Sequence, residues 1–158
     1  MRLEAGALAL VALHFAGAAV ADCAPEVADL RSGASVIRFE VEVADDEASR
    51  ARGLMFRETL PRYGGMLFVY DQEGPVAFWM KNTLIPLDML FFDAAGRLVH
   101  LHENATPGDL TAIPSPAPAQ FVLEINGGVA RALGIGAEVE LRHPAIPRDA
   151  AAWPCPSD

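Results

Sequence analysis

The clearest pattern in the chain is an alternation of apolar and polar residues. From Val36 to Ala44, Ile37, Phe39, Val41 and Val43 fall on one face of an extended strand and Arg38, Glu40 and Glu42 on the other. Such a strand is half-solvated, as in antiparallel sheets. Leu98 to Glu103 alternates again, setting Val99 and Leu101 against His100 and His102. Asp88 to Asp93 is instead apolar on both faces, with Leu90 and Phe92 on one and Met89 and Phe91 on the other. That pattern predicts a central strand covered on both sides. Shorter apolar runs at Met66–Tyr70, Phe121–Ile125 and Ala137–Leu141 predict three more strands, and Val76–Met80 a further one that ends at a kink.

Two short helices interrupt the strands. Asp45-Asp46-Glu47 supplies an N-cap and first-turn acids for a helix near 47–56, with Ala48, Ala51 and Met55 on one face. Gly53 inside that run implies that another backbone or a bulky ring packs close. Asn126 is expected to cap a second helix near 127–133, which Gly134 ends. Pro61–Gly65, Asp71–Pro75 and Ala94-Ala95-Gly96 read as turns. Asn104–Gln120, with Pro107, Pro114, Pro116 and Pro118, reads as a long loop of the kind that often carries function. About seven strands with mostly antiparallel neighbours predict a mainly β fold, a sandwich or half-open, jelly-roll-like barrel with two short helices.

The ends add context. The chain has 158 residues, enough for one domain with a substantial core. Arg2 precedes an uncharged run from Ala5 to Ala21, closing on the small-x-small Ala19-Val20-Ala21, so residues 1–21 are expected to be a cleaved signal peptide. The run is too short for a stable membrane anchor, which needs about 20 apolar residues. Export to the periplasm or beyond follows as the expected location. Residues 22–35 are then an N-terminal segment, 36–142 the β domain, and 143–158 a proline-rich tail in which Trp153 could fold back. In an oxidising compartment the two cysteines, Cys23 and Cys155, are expected to form a disulfide that ties the termini together. The net charge of −9 argues against nucleic acid as a partner.

Candidate chemistry gathers in Val76–Asp93, where polar residues stand among very apolar ones. Pro86 cannot donate to a strand ladder, so Asn82-Thr83 and Pro86 mark a kink whose backbone groups must find other partners. Trp79, Lys81, Asn82 and Asp88, with Arg52, Arg57 and Glu124 from neighbouring elements, could line a cleft for a small polar or carbohydrate-like ligand stacked on Trp79. The alternative is an internal ion-pair network in which Asp88 and Glu124 partner Arg52 and Lys81, in a structural or protein-interaction domain. Two further readings stay open. His100 and His102 on one strand face, beside Met55, Met66, Met80 and Met89, fit a copper-type metal protein, with Glu103 and His143 as possible additions. Asp88 and Glu124 could act as paired acids in a hydrolase. No motif fixes a catalytic residue, and no cofactor is implied.

Several segments together resemble one family. Arg52-Gly53-Leu54-Met55-Phe56-Arg57, Gly65-Met66-Leu67-Phe68 and Phe78-Trp79-Met80-Lys81-Asn82-Thr83-Leu84-Ile85-Pro86-Leu87-Asp88 are similar to the domain-of-unknown-function 192 family. Phe91-Phe92-Asp93, Gly96, Pro118-Ala119 with Phe121-Val122-Leu123-Glu124, and Gly134-Ile135 continue the match in order. The resemblance implies a single small β-rich domain, often exported in bacteria. It brings no established activity and no catalytic residue.

Overall fold

The computed structural model describes residues 23–157. The expected signal peptide and its cleavage site therefore lie outside the described residues. In chain order the elements are β1 (Val27–Ser32), β2 (Ser35–Ala44), α1 (Glu47–Arg52), β3 (Gly64–Gly74), β4 (Ala77–Phe78), β5 (Leu87–Phe92), β6 (Leu98–Ala105), β7 (Ile113–Pro114), β8 (Ala119–Asn126), α2 (Val129–Ala132) and β9 (Val139–Arg142). Seven strands form one sheet in the order β6-β5-β8-β3-β2-β1-β9, and β4 pairs with β7 as a separate ribbon.

The fold is mainly β, as expected, but it is a curled half-barrel of mixed rather than purely antiparallel sheet, and among the described residues the second sheet is only the two-stranded β4–β7 ribbon. β2 and β3 run parallel, joined by a crossover that contains α1, and every other pair in the sheet is antiparallel. Parallel neighbours cannot be joined by a tight hairpin, and the helix supplies the return path. The curl brings the two edges together at one end, where Arg97 bridges Glu140 and the Leu141 amide donates to the Gly96 carbonyl at 2.7 Å.

Each face of the sheet has its own core. The enclosed face packs Leu30, Phe39, Val41, Leu67, Leu90, Phe92, Phe121, Leu123, Ile125 and Leu141. The outer face of the β3-β8-β5 region packs Met66, Phe68, Met80, Met89, Phe91 and Val122 under α1 and the β4-β7 ribbon. β5 is buried at every position, which is why its sequence shows no polar alternation.

Local details follow the sequence with some corrections. Asp46 is the N-cap of α1 in a full capping box with Ser49, and the helix stops at Arg52. Gly53 is not inside the helix: it caps its C-terminus at φ 49°, and a Cβ there would come within 3.2 Å of the Phe68 ring. The bulky ring was expected, while the cap position was not. Asn126 does not cap α2; it donates to the carbonyls of Leu60 and Pro61, and the N-cap is Gly128. The segment before Val36 forms β1, which joins the sheet between β2 and β9. Asp71–Gly74 continues β3 beyond the expected turn, and Asn104–Gln120 includes the ends of β6 and β8 as well as β7.

The Cys23–Cys155 disulfide is formed. The tail after β9 covers the outer face beside β1, with Trp153 lying against the guanidinium groups of Arg142 (4.2 Å) and Arg31 (4.8 Å). Among the described residues no helix is long and apolar enough to cross a membrane.

Candidate functional site

Strand pairing decides which side chains share a face. Met66 on β3, Glu124 on β8 and Met89 on β5 are paired in register, so all three point to the outer face. Phe68 and Tyr70 follow Met66 on the same face at a spacing of two. α1 and the chain after it cover this region only in part. A pocket of about 320 Å³ is left open, lined by Arg50–Met55, Phe68, Tyr70, Ala77, Phe78, Trp79, Thr83 and Glu124. Its size is within the range of small-molecule sites, about 300–1,000 Å³.

Glu124 lies in the floor of this pocket and is only 4% exposed. No group among the described residues donates a hydrogen bond or forms an ion pair to its carboxyl. Burial alone raises its pKa, to about 8. At neutral pH the group is therefore mainly a carboxylic acid, a hydrogen-bond donor as well as an acceptor. Tyr70 is half-buried nearby; burial pushes its hydroxyl pKa up, outweighing the lowering effect of Arg50.

The walls are aromatic and the mouth is basic. Phe78 packs edge-on against both Phe68 (4.9 Å) and Phe91 (5.8 Å), which fixes the rings that flank the cavity. Trp79 remains 48% exposed. Arg50 donates to the carbonyls of Asp45 (2.6 Å) and Val69 (2.8 Å) and lies 5.1 Å from the centroid of the Tyr70 ring. Arg52 is exposed at the mouth. Among the described residues neither arginine forms an ion pair with a carboxylate.

The kink beside the pocket is held by its own backbone. Thr83 donates to the Met80 carbonyl, and buried Met80 is clamped to the following loop through Asp109 and Gly108. Asn82 has φ 55° and Phe56 φ 64°, and the Phe56 amide donates to the Asn82 carbonyl at 2.8 Å. A bulky residue at positive φ is a rarely occupied conformation. Two such residues thus join the α1 exit to the kink at the pocket's edge. The backbone groups near Thr83 that could have faced a ligand are partly used up in this way.

Three of the residues singled out from sequence meet in the pocket: Arg52, Trp79 and Glu124. Lys81 and Asn82 do not line it. Lys81 is exposed, with its Nζ 5.0 Å from the centroid of the Trp79 ring, and Asn82 turns toward the sulfur of Met55. Arg57 pairs with Glu42 at 2.6 Å, away from the pocket. Asp88 faces the opposite side of the sheet. There its carboxylate accepts from the amides of Asn104 (2.7 Å), Gly128 (2.9 Å) and Ala130 (2.8 Å), and so holds α2 across the barrel end. Asp88 is thus a structural acceptor. It pairs with neither Arg52 nor Lys81, and a sheet separates it from Glu124, so the two cannot act as paired acids.

His100 and His102 line a separate depression with Asn104, Asp109 and Thr111. Burial, with a smaller contribution from His102, lowers the His100 pKa. His143 is elsewhere, bonded to the Pro25 carbonyl at 2.8 Å. Among the described residues no three His, Cys, Asp or Glu side chains come together as metal donors. Met66, Met80 and Met89 are buried packing residues.

Arg50, Tyr70 and the Phe68–Phe78 pair were not expected at the site. The period-two spacing of Met66, Phe68 and Tyr70 could have placed them on one face. Only the β3–β8 register sets that face beside Glu124.

Residues 28–143 match the model of the DUF192 family, described as Uncharacterized ACR. The chain belongs to this family. Two solved structures agree with the assignment. One, from Sinorhizobium meliloti 1021, is provisionally described as a transcription regulator; it is 38% identical with a TM-score of 0.72, over 76% of this chain and 94% of that one. The other, a protein of unknown function from Novosphingobium aromaticivorans DSM 12444, is 37% identical with a TM-score of 0.71, over 73% of this chain and 82% of that one. No curated protein matches the sequence.

Proposed function

We propose that this DUF192 protein is a binding module for a small polar, carbohydrate-like ligand held in the outer-face pocket. One observation carries the reading: Glu124, a largely buried residue, presents its carboxyl at the floor of an open pocket with no partner among the described residues. The carboxyl therefore opens to the pocket, where water or a ligand satisfies it. A hydroxyl-bearing ligand would do so, with Trp79 as an apolar wall and Arg52 at the mouth. The flat, half-exposed indole suits the apolar face of a sugar ring.

Trp79 and Trp153 are the only tryptophans. A Trp153→Phe variant therefore reports on Trp79 alone. Titrating it with monosaccharides and their oxidised derivatives is expected to change the emission, and Glu124→Ala is expected to abolish that change. Unaltered emission with every compound would reject the pocket as a sugar site.

A protein-interaction role is the second reading, favoured by Phe56 and Leu84, which are exposed in the same two segments that meet at the pocket edge. The transcription-regulator description of the Sinorhizobium relative gains no support from a chain of net charge −9. We place the mature protein in the periplasm or outside the cell, with cleavage after Ala21. The intact mass of secreted protein tests this.

A further inference from the structure

Resting on the pocket reading above, the geometry points to a sugar acid as the ligand: a hydroxylated ring bearing one carboxylate, which Arg52 binds at the mouth while Glu124 meets a ring hydroxyl at the floor. The charge layout carries the inference. On a chain of net charge −9, the pocket has two arginines at its wall and mouth, and Glu124 is the one acid among its lining residues. Arg50 is committed to backbone carbonyls and acts electrostatically on Asp46, so it is not the group left for a ligand. Among the described residues the Arg52 side chain has no hydrogen-bond or ion-pair partner, and one such guanidinium matches one carboxylate through two parallel hydrogen bonds. Glu124, the one carboxyl among the described lining residues, is 4% exposed in the floor and, as the acid, can present an O–H to a ring oxygen or hydroxyl. Phe68, Phe78 and Trp79 give the cavity an aromatic wall.

Binding is then linked to a proton. A carboxylate ligand and an ionised Glu124 would repel each other inside one poorly hydrated cavity. Glu124 is electrostatically coupled to Tyr70 from β3 and paired in register with the apolar Met89 from β5; Arg50 and Arg52 from α1 line the same pocket without perturbing its carboxyl, and Lys81 lies farther out, over Trp79. Glu124 is therefore the group whose titration sets the profile up to the onset of tyrosine ionisation. Affinity should hold on the acid side of about pH 8 and fall above it.

The test is calorimetric titration of the full chain with D-glucuronate and with D-glucose, at about pH 6 and about pH 9. Glucuronate is expected to bind at least about tenfold more tightly than glucose at the lower pH, and to lose about tenfold at the higher. Arg52→Ala should remove the preference for the acid. Glu124→Gln, which mimics the neutral acid, should bind glucuronate with the same affinity at both pH values. Thermal melts check that this buried variant folds, and exposed Arg52 gives an independent arm if it does not. Equal affinity for glucose and glucuronate, an unchanged Arg52→Ala preference, or a flat wild-type pH profile would overturn the sugar-acid assignment while leaving the pocket in place. Silence from both sugars would overturn it together with the pocket reading.

Discussion

The β1–β9 seam and the outer-face pocket each contain a buried carboxyl on the outer face of the same sheet, and the two are treated in opposite ways. At the seam, Asp29 receives Arg38 at 2.8 Å and Arg142 at 2.7 Å, and Trp153 covers the guanidinium of Arg142. Burial pushes its pKa up, but the hydrogen bonds and charges of Arg38 and Arg142 outweigh that and hold it below the usual carboxylate range. In the pocket, Glu124 has the burial without the partners, and its pKa rises to about 8. Burial alone is therefore no guide to what a buried acid does. The seam is a closed structural joint, reinforced by the Cys23–Cys155 disulfide and by the Arg31–Glu140 pair. The pocket is an unfinished one. Asp88 supports the same distinction, since three backbone amides complete its shell.

The contrast is most directly broken at the seam. Asp29→Ala leaves Arg142 buried without its acid, and denaturant unfolding at neutral pH should show a loss of about 3–5 kcal/mol. The wild-type contribution is present above the unfolded aspartate range and is lost as pH falls through the lowered folded pKa. A loss below about 1 kcal/mol would mean that the seam does not depend on the pair.

Glu124 should behave with the opposite sign. Its folded pKa is raised from 4.5 to about 8, so its stabilising contribution is fully present below the unfolded value and is lost as pH rises through about 8. Glu124→Gln should therefore flatten the decline of wild-type stability between these values. Above pH 8 the variant should be the more stable, by about 4–5 kcal/mol. A variant curve that runs parallel to wild type would show that Glu124 is ionised in the folded protein.

The smallest effect is expected at Lys81, whose only described partner is the Trp79 ring. Lys81→Ala should change stability by about 0.5–1 kcal/mol at most. A loss of several kcal/mol would place Lys81 in a buried network and return the kink to a purely structural role.

Much of this was legible in the residues because it depends on local pattern. Alternation at Val36–Ala44 and Leu98–Glu103, the doubly apolar run at Leu90–Phe92, the Asp46 cap and the Ala94–Gly96 turn each express a period or a backbone preference within a few residues. β1 was missed because Val27–Ser32 alternates over only Ala28 and Leu30, with Asp29 and Arg31 on a face that looks solvated. That face is buried by residues far along the chain, Arg142 and Trp153 among them.

The candidate site divides along the same line. The sequence by itself marked a polar set among apolar neighbours and named Arg52, Trp79 and Glu124 within it, because buried polar groups are unusual enough to notice in a strand pattern. It also determined the family, a mainly β fold and the two cysteines available to be joined. Which polar groups meet was decided only by tertiary structure. Asp88 and Glu124 look alike as acids in apolar strands, yet the antiparallel register of β5 and β8 sends one to each face of the sheet. Parallel pairing of β2 with β3 was likewise invisible, since the crossover helix reads the same whichever strand it returns to. Register and pairing are long-range choices fixed by the sum of packing over the whole sheet, and a one-residue slip would exchange the two faces.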